Sequence, residues 1–562
     1  MLLILLSYCY ILVILGIVGI GINHLFRIHN NHPVQTITHG IFGIIVLGLL
    51  WAMVAPLSIG IHIVLVIITI LLAIKYKQEV ITLYQNAFTS FFQLNTIFKV
   101  FFLITTILVI LKCAGPPTLP DNESYYVQSI KWFTQYGMVT GLINLHPFLG
   151  QASGWHVLQS IFGFGFVTNN LNDLNGLILI LINLFAFEKL NKYINNQNKN
   201  YYDLIIGLWP ITNVVGFMLI ASPSTDLPVY SLGILIIYLA LSYENSPNTN
   251  NLKSLWILTA TLWLIKATTF WYILIPMMLT FKCKIHTKKV MKFALVLLII
   301  TSSILIVKNI IITGNPIYPL TTIKTLKTSW ALPTSVEGYL FQYLKSYGYG
   351  LTPNTYNTSN SLQHIIHWLT NNGIDSILNL MALTIFLLTP LVYRKLKQKQ
   401  ALSLIYIVAV VQLFTLLITS PQLRFYLGFV LFFTCLLAAK LFKHKKAIIT
   451  LLVVSIIFTS LSMLPVTKQL PIPNSLKNIS WRTIIIPHEN TNENQITYKK
   501  IKEGNTVFYS PATSDFFWGT HNAPLPALNK QQLDYFKKYF KTIPQQRTNN
   551  LKDGFISKKI VP

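Results

Sequence analysis

Long apolar runs, separated by short polar or prolyl breaks, dominate the chain. Residues 2–22, 36–55, 57–74 and 96–113 form the first four, with a turn expected at Pro56. Others cover 174–187, 204–220, 227–243, 291–312, 374–393 and 401–418, a stretch ending before Lys440, and 447–464. None has the period-two alternation of barrel strands, and many approach the roughly 20 residues a helix needs to cross a bilayer. Two shorter runs, 252–265 and 268–280, flank Lys266 and read as a pair of short helices. Residues 82–95 are aromatic but too short to span and are expected at the interface. The pattern predicts an all-α polytopic membrane protein with about 14 transmembrane helices.

Three stretches break the pattern. Residues 114–173 and 313–373 form long polar loops, and 466–562 form a polar tail. Within the first loop, 124–136 and 153–166 place apolar and aromatic residues at helical spacing, as juxtamembrane helices lying in the interface do. The tail opens with the linker-like PIPNSLKN and carries strand-like runs at 483–486 and 506–509. It reads as a small α+β domain. The predicted units are a transmembrane segment 1–94, a transmembrane core 95–465 and a C-terminal domain 466–562.

Composition confirms the class: of 562 residues, 53% are hydrophobic and only 10% charged, too few to coat a soluble protein of this size. The net charge of +27 would point to nucleic acid in a soluble chain. Here Lys and Arg gather in short loops: Lys75 and Lys77; Lys189, Lys192 and Lys199; Lys282, Lys284, Lys288 and Lys289; Arg394, Lys395, Lys397 and Lys399; Lys440, Lys443, Lys445 and Lys446. The positive-inside rule puts all of them in the cytoplasm, and no nucleic-acid partner is expected. The two polar loops, the C-terminal domain, and the turns at 222–226, 266 and 420–425 then lie outside. A spanning helix at 153–166 would reverse Lys189, Lys192 and Lys199, against that rule. The first run has no preceding basic residue and no clear cleavage site, so it is expected to be retained. Cys9, Cys113, Cys283 and Cys435 sit in or beside apolar runs, with no CxxC site and no disulfide framework expected.

The candidate chemistry gathers on the outer side. The run PDNESYYVQSIKW, from Pro120, carries Asp121 and Glu123 in a chain with only 16 acidic residues. Asp226, Lys266, Tyr318 and Arg424 also fall at outer helix ends, where charge is costly and usually paired or functional. Carboxylates and cations converging on one cavity would suit a phosphate-bearing lipid and a hydroxyl awaiting deprotonation. Arg424 offers a bidentate fork and Lys266 a point charge. Structural alternatives stand beside each. Asp121 and Asp226 could cap helices, Glu123 suits a helix first turn, and Lys266 could snorkel. His146 and His156 could be interfacial. His364 and His367, at i and i+3, could share a metal but have no neighbouring carboxylate.

These residues, with the motifs GLINLH, SPSTD, WLIKATTF, KNIIITGNPIYPL, SPQLRF and FFWGTHNAPLP, resemble the GT-C superfamily of integral-membrane glycosyltransferases, and within it a group of bacterial multi-pass proteins. The likeness runs from about Pro120 to Pro526, which would make 1–94 an N-terminal extension. It implies a catalytic Asp or Glu on the first outer loop of the core, matching Asp121. The Lys between two short helices is similar to that of the aminoarabinose lipid A transferases. The narrower group has a small residue where Glu123 stands.

The resemblance implies inverting transfer of a sugar from a polyprenyl-phosphate-linked donor to a glycan, lipid or protein acceptor of the cell envelope. Transfer would occur on the outer face of the bacterial cytoplasmic membrane, with Asp121 as general base. Glu123, His146, Asp226, Lys266, Tyr318 and Arg424 would bind substrate. Asp121, Glu123 and Asp226 would hold Mg2+ or Mn2+ if a divalent cation is used. Three rival readings are a polysaccharide polymerase or ligase fed by lipid-linked glycans, a lipid or glycan transporter, and a structural assembly protein in which none of these charges does chemistry. A transporter should place its polar residues at the bilayer midplane.

Overall fold

The computed structural model describes residues 1–560 except 30–31, 198, 283–286, 321–327, 372, 397–398, 464–480, 492–495 and 514–515. Cys283, Lys284, Lys397, the PIPNSLKN linker, the end of the 447–464 run and part of the 313–373 loop lie outside the described residues.

Eight described helices are long and apolar enough to cross a membrane: Leu2–Leu25, Pro33–Ala52, Thr96–Ala114, Leu174–Asn195, Asp226–Asn245, Thr287–Thr313, Ile374–Tyr393 and Gln400–Thr419. A ninth candidate is the pair Ile59–Lys75 and Lys77–Phe92, bent by 97°. The molecule is a membrane protein. Fewer helices than the expected fourteen meet that length because several predicted spans are short or interrupted. The run at 204–220 divides into Tyr201–Gly207, a 3-10 turn at Trp209–Thr212 and Asn213–Phe217. Pro210 lacks the N–H that a continuous helix needs there. Lys266 separates Thr249–Ile265 from a 3-10 segment, Ala267–Ile273, and the helix Leu274–Lys282. Helices Leu427–Leu441 and Lys445–Leu461 are short as well.

Hydrogen bonds tie each end of the bundle. At one end Asn95 bonds to Asn191 and Asn195, Lys253 reaches the carbonyls of Phe26 and Arg27, and Glu244 accepts from the backbone of Gln400 and from Tyr202. At the other, the Met1 ammonium reaches Thr483, His488 N–H donates to Ala114, and Lys308 donates to the Ala152 carbonyl. The chain thus runs back and forth between two distinct polar faces. Helices Leu2–Leu25 and Pro33–Ala52 approach closely: a Cβ on Gly19 would lie 2.0 Å from the Thr36 carbonyl, and one on Gly40 1.9 Å from that of Leu15. Small residues at a crossing let backbones approach where lipid gives no hydrophobic drive.

The aromatic stretch 82–95 falls mostly within the helix Lys77–Phe92, bent by 97° from the helix before it. One interfacial expectation changes. The stretch 153–166 forms Gly154–Phe162, and every residue of that helix is buried. It packs against Pro33–Ala52, Val127–Tyr136 and Thr249–Ile265, so it is an internal wedge. Its amphipathic pattern could not show that its polar face, with Ser153 and His156, would be covered too.

The C-terminal region joins two antiparallel hairpins, Tyr498–Glu503 with Thr506–Pro511 and Thr542–Gln546 with Phe555–Lys559, and a helix, Lys530–Phe540. The strand expected at 506–509 is present. Residues 483–485 instead belong to a short helix, Trp481–Ile485. That run has the β-branched residues of a strand, but among the described residues no strand pairs with it; its backbone binds the N-terminus instead.

The region is docked on the first loop. Phe555 N–H donates to Thr140, where Gly141 has φ +67° and a Cβ would come within 2.1 Å of the Phe555 carbonyl. Only glycine suits that backbone and that approach. Asn144 donates to Gly141, Trp330 and Phe555, and His146 Nε2 donates to the Trp518 carbonyl at 3.0 Å. The GLINLH motif is therefore the seat of the C-terminal region.

Candidate functional site: a four-charge cluster at one end of the bundle

Helix Thr96–Ala114 ends at Gly115, Pro116 and Pro117, which cannot continue it. Asp121 follows and leads into a π-helical turn, Asn122–Tyr126, before Val127–Tyr136. Such turns are frequent at functional sites. Asp121 Oδ2 accepts from Arg424 Nη1 at 2.5 Å and from the Tyr126 hydroxyl at 3.4 Å. Arg424 comes from a 3-10 turn, Leu423–Phe425, between two helices. Its Nε donates to Gln422 Oε1 at 3.0 Å, and the Tyr230 hydroxyl holds its carbonyl at 2.8 Å.

A second ion pair lies beside the first. Lys266 Nζ bonds to Asp226 Oδ1, and the Ser224 hydroxyl donates to Asp226 Oδ2. Phe425 joins the two pairs: Lys266 Nζ sits 4.5 Å and Arg424 Cζ 5.3 Å from its ring centroid, within cation–π range. The 219–224 turn is set by Asn175, which donates to the carbonyls of Leu219, Ser222 and Ser224, and by Asn172, which donates to Ala221. Trp155 N–H fixes the Asn175 amide at 2.7 Å.

The pairs differ in exposure. Arg424 and Asp121 side chains are 39% and 26% exposed, Lys266 and Asp226 15% and 4%. Asp121 faces solvent, while Asp226 is sealed beneath it. Burial alone would lower the Arg424 pKa, but the carboxylates of Asp121 and Asp226 outweigh it and hold the guanidinium well above its ordinary value. Burial also raises Tyr126, with Tyr125 and both carboxylates adding to it, so its phenol stays a hydrogen-bond donor.

Asp121, Asp226, Lys266 and Arg424 thus come together from four separate stretches. The other sequence-selected residues lie elsewhere. Glu123 turns to the C-terminal region: its Oε2 pairs with His521 Nδ1 at 3.0 Å, and its carbonyl accepts from the N–H groups of Thr520 and His521. His146 holds Trp518 and accepts from Phe148 N–H. Tyr318 donates to the Pro147 carbonyl at 3.3 Å. His156 closes a capping box with Ser153, and its ring lies tilted against that of Tyr126, 4.9 Å between centroids. His364 and His367 bind the carbonyls of Tyr356 and Tyr349. Cys9, Cys113 and Cys435 are free thiols.

Tyr126, Tyr230, Gln422 and Phe425 support the cluster and were not singled out by sequence. Phe425 and Gln422 lie inside SPQLRF, so proximity to Arg424 was the one available signal. The donor set does not suit a divalent cation: Glu123 points away, and Asp121 and Asp226 each hold a cationic side chain. Among the described residues no three His, Cys, Asp or Glu side chains gather as a metal site.

Fold and site define a helical membrane protein with two charge pairs at one end of its bundle. The chain belongs to the family described as Domain of unknown function (DUF8201), whose model matches residues 1–431. The match takes in all four charges and the N-terminal helices, and it ends within Leu427–Leu441, before the C-terminal region. No curated protein and no solved structure matches the chain.

Proposed function

We propose that the chain is a GT-C-type glycosyltransferase with Asp121 as general base. It moves a sugar from a polyprenyl-phosphate-linked donor to a cell-envelope glycan, lipid or protein acceptor, with inversion. The observation that carries this reading is the solvent-facing Asp121 carboxylate held by Arg424 directly beside a buried Asp226–Lys266 pair. A base and a phosphate-binding cation in contact are the two parts such a transfer needs.

In this mechanism the donor phosphate competes with Asp121 for the Arg424 guanidinium, which frees the carboxylate. Asp121 takes the proton of the acceptor hydroxyl, whose oxygen forms a bond to the anomeric carbon from the face opposite the phosphate. The bond from that carbon to the phosphate oxygen breaks, and its electron pair stays on the lipid phosphate. Arg424 and, through the shared Phe425 face, Lys266 stabilise that charge. Asp226 keeps Lys266 charged and aimed at the site. No step needs a metal.

The fourteen crossings belong to this proposal: the shorter and broken helices complete the passes between the two polar faces. The Lys-rich loops then face the cytoplasm of a bacterial inner membrane, and the charge cluster and C-terminal region face outward. The Asp121–Arg424 and Asp226–Lys266 pairs gather at one end of the bundle, which favours a transferase over a transporter.

The test is sugar transfer from a panel of radiolabelled polyprenyl-phosphate sugars to extracted cell-envelope glycans, by wild type and Asp121→Asn. Transfer by wild type alone is expected. Equal transfer by Asp121→Asn rules out the base. Loss on Arg424→Ala with survival of Asp121→Asn would point to a polymerase or ligase.

A further inference from the structure

Helix Thr334–Gly348, from the second polar loop, ends beside the charge cluster. Ser420 donates to the Leu344 carbonyl at 2.7 Å and Tyr349 to that of Leu417 at 2.5 Å. A Cβ on Gly348 would come within 2.7 Å of Pro421. These contacts pin the helix end to the turn that carries Arg424. Tyr347 projects there, and the charges of Arg424 and Asp121 both act on its hydroxyl.

Tyr339, Tyr343 and Tyr347 recur every four residues and share one helical face. Their centroids are 6.2 Å apart at each step. The row continues onto helix Lys530–Phe540 through Tyr535, 5.7 Å from Tyr339, and Tyr539, 4.6 Å from Tyr535. Five tyrosines therefore connect the charge cluster to the surface of the C-terminal region. The middle rings are partly covered, by Trp518, Phe536 and Phe540 among others, and these contacts join the two helices. The end rings do not pack that way: Tyr347 is 59% and Tyr539 60% exposed.

The polarity around the row is not that of a lipid-facing surface. Helix Thr334–Gly348 also exposes Thr334, Ser335 and Gly338, and a Cβ on Gly338 would meet open space. Helix Lys530–Phe540 exposes Lys530, Gln531, Asp534 and Lys538. The span Thr287–Thr313 by contrast exposes Leu295, Val296, Ile299 and Ile300. Flat rings with phenol edges, set among hydrogen-bonding and small side chains, match a sugar chain. The C–H faces of its rings stack on aromatics, and its hydroxyls point sideways to polar groups. Tyrosine supplies such rigid amphipathic area at low entropic cost.

We propose that Tyr539, Tyr535, Tyr339, Tyr343 and Tyr347 form a binding track for a glycan acceptor, whose sugar rings stack along it toward Asp121. The assignment of an acceptor role rests on the glycosyltransferase reading; binding of sugar to the row does not. The experiment reads binding alone, by saturation-transfer difference NMR on the full chain in lipid nanodiscs without donor. The probes are neutral cello-, chito-, manno- and maltotetraose. At least one is expected to receive saturation. Tyr347→Ala with Tyr539→Ala should weaken its binding about tenfold. The Tyr347→Phe and Tyr539→Phe pair, which keeps the ring faces, should bind as wild type. Saturation of none of the four, or equal binding by the alanine pair, overturns the track. Quenching of a Tyr347→Trp variant by brominated acyl chains also overturns it, by marking the row as a membrane-facing belt. Failure of sugar transfer with binding intact would strike the transferase reading and leave the track standing.

Discussion

The two ion pairs should differ sharply in what the loss of one partner costs, and this contrast tests both the geometry and the mechanism. Asp226 and Lys266 are 4% and 15% exposed. Asp226→Asn leaves an ammonium in a sealed site, and breaking such a pair costs about 3–5 kcal/mol. Replacing both, Asp226→Asn with Lys266→Met, removes the stranded charge and should recover most of that loss. Asp121 and Arg424 are 26% and 39% exposed, so solvent takes over much of the lost interaction. Asp121→Asn should therefore cost no more than about 1 kcal/mol. Its effect belongs to the chemistry: removing a general base should slow single-turnover transfer about 10²–10⁴-fold. Unfolding midpoints in one fixed nanodisc composition, with transfer rates on the same samples, read both quantities. Glu123→Gln is the comparison on the same loop: it should loosen residues 516–523 in hydrogen exchange while Asp121 keeps its place. The reasoning is refuted if Asp121→Asn destabilises as much as Asp226→Asn, or if the double variant is no more stable than Asp226→Asn alone.

Two further predictions concern the scaffold. Burial pulls the His146 pKa down to about 4, against its hydrogen bond to Trp518, which raises it. The unfolded chain takes up this proton near pH 6.5, so the docked state loses stability as pH falls from there toward 4, with no further loss below. Protonation would also aim a new N–H at Phe148 N–H, so exchange at residues 516–523 should rise across that window; a flat profile would contradict it. Separately, Gly40→Val should separate Leu2–Leu25 from Pro33–Ala52 and destabilise by about 1–3 kcal/mol or more. An unchanged unfolding midpoint would show that the crossing is looser than 1.9 Å implies.

Much of the scaffold was legible because apolar length and prolyl breaks are local properties. The helices on either side of residues 115–173 and 314–373 fall where the hydropathy pattern put them. What failed was continuity and partnership. Trp209–Pro210 interrupts a run whose composition alone reads as a span, and 481–485 coils where β-branched residues suggested a strand. At the site, polar residues at helix ends pointed to Asp121, Asp226, Lys266 and Arg424, because charge beside hydrocarbon is rarely idle. The same argument grouped Glu123, His146 and Tyr318 with them. It had no means to separate residues that face the cluster from those that fasten the loop to the C-terminal region.

The sequence by itself determined that this is a helical membrane protein, since only helices and closed barrels satisfy backbone hydrogen bonds in lipid and the apolar runs lack the alternation of barrel strands. It also determined which few charges sit at helix ends. Tertiary structure decided their pairing. Asp121 and Arg424 are 303 positions apart, and Glu123 finds His521 across 398. Two residues after Asp121, the π turn sends one carboxylate to the charge cluster and the other to the docking seam. The reason is range: hydropathy is summed along neighbouring residues, whereas an ion pair depends on a few ångströms between side chains carried by different helices. Only the packing of those helices sets that distance.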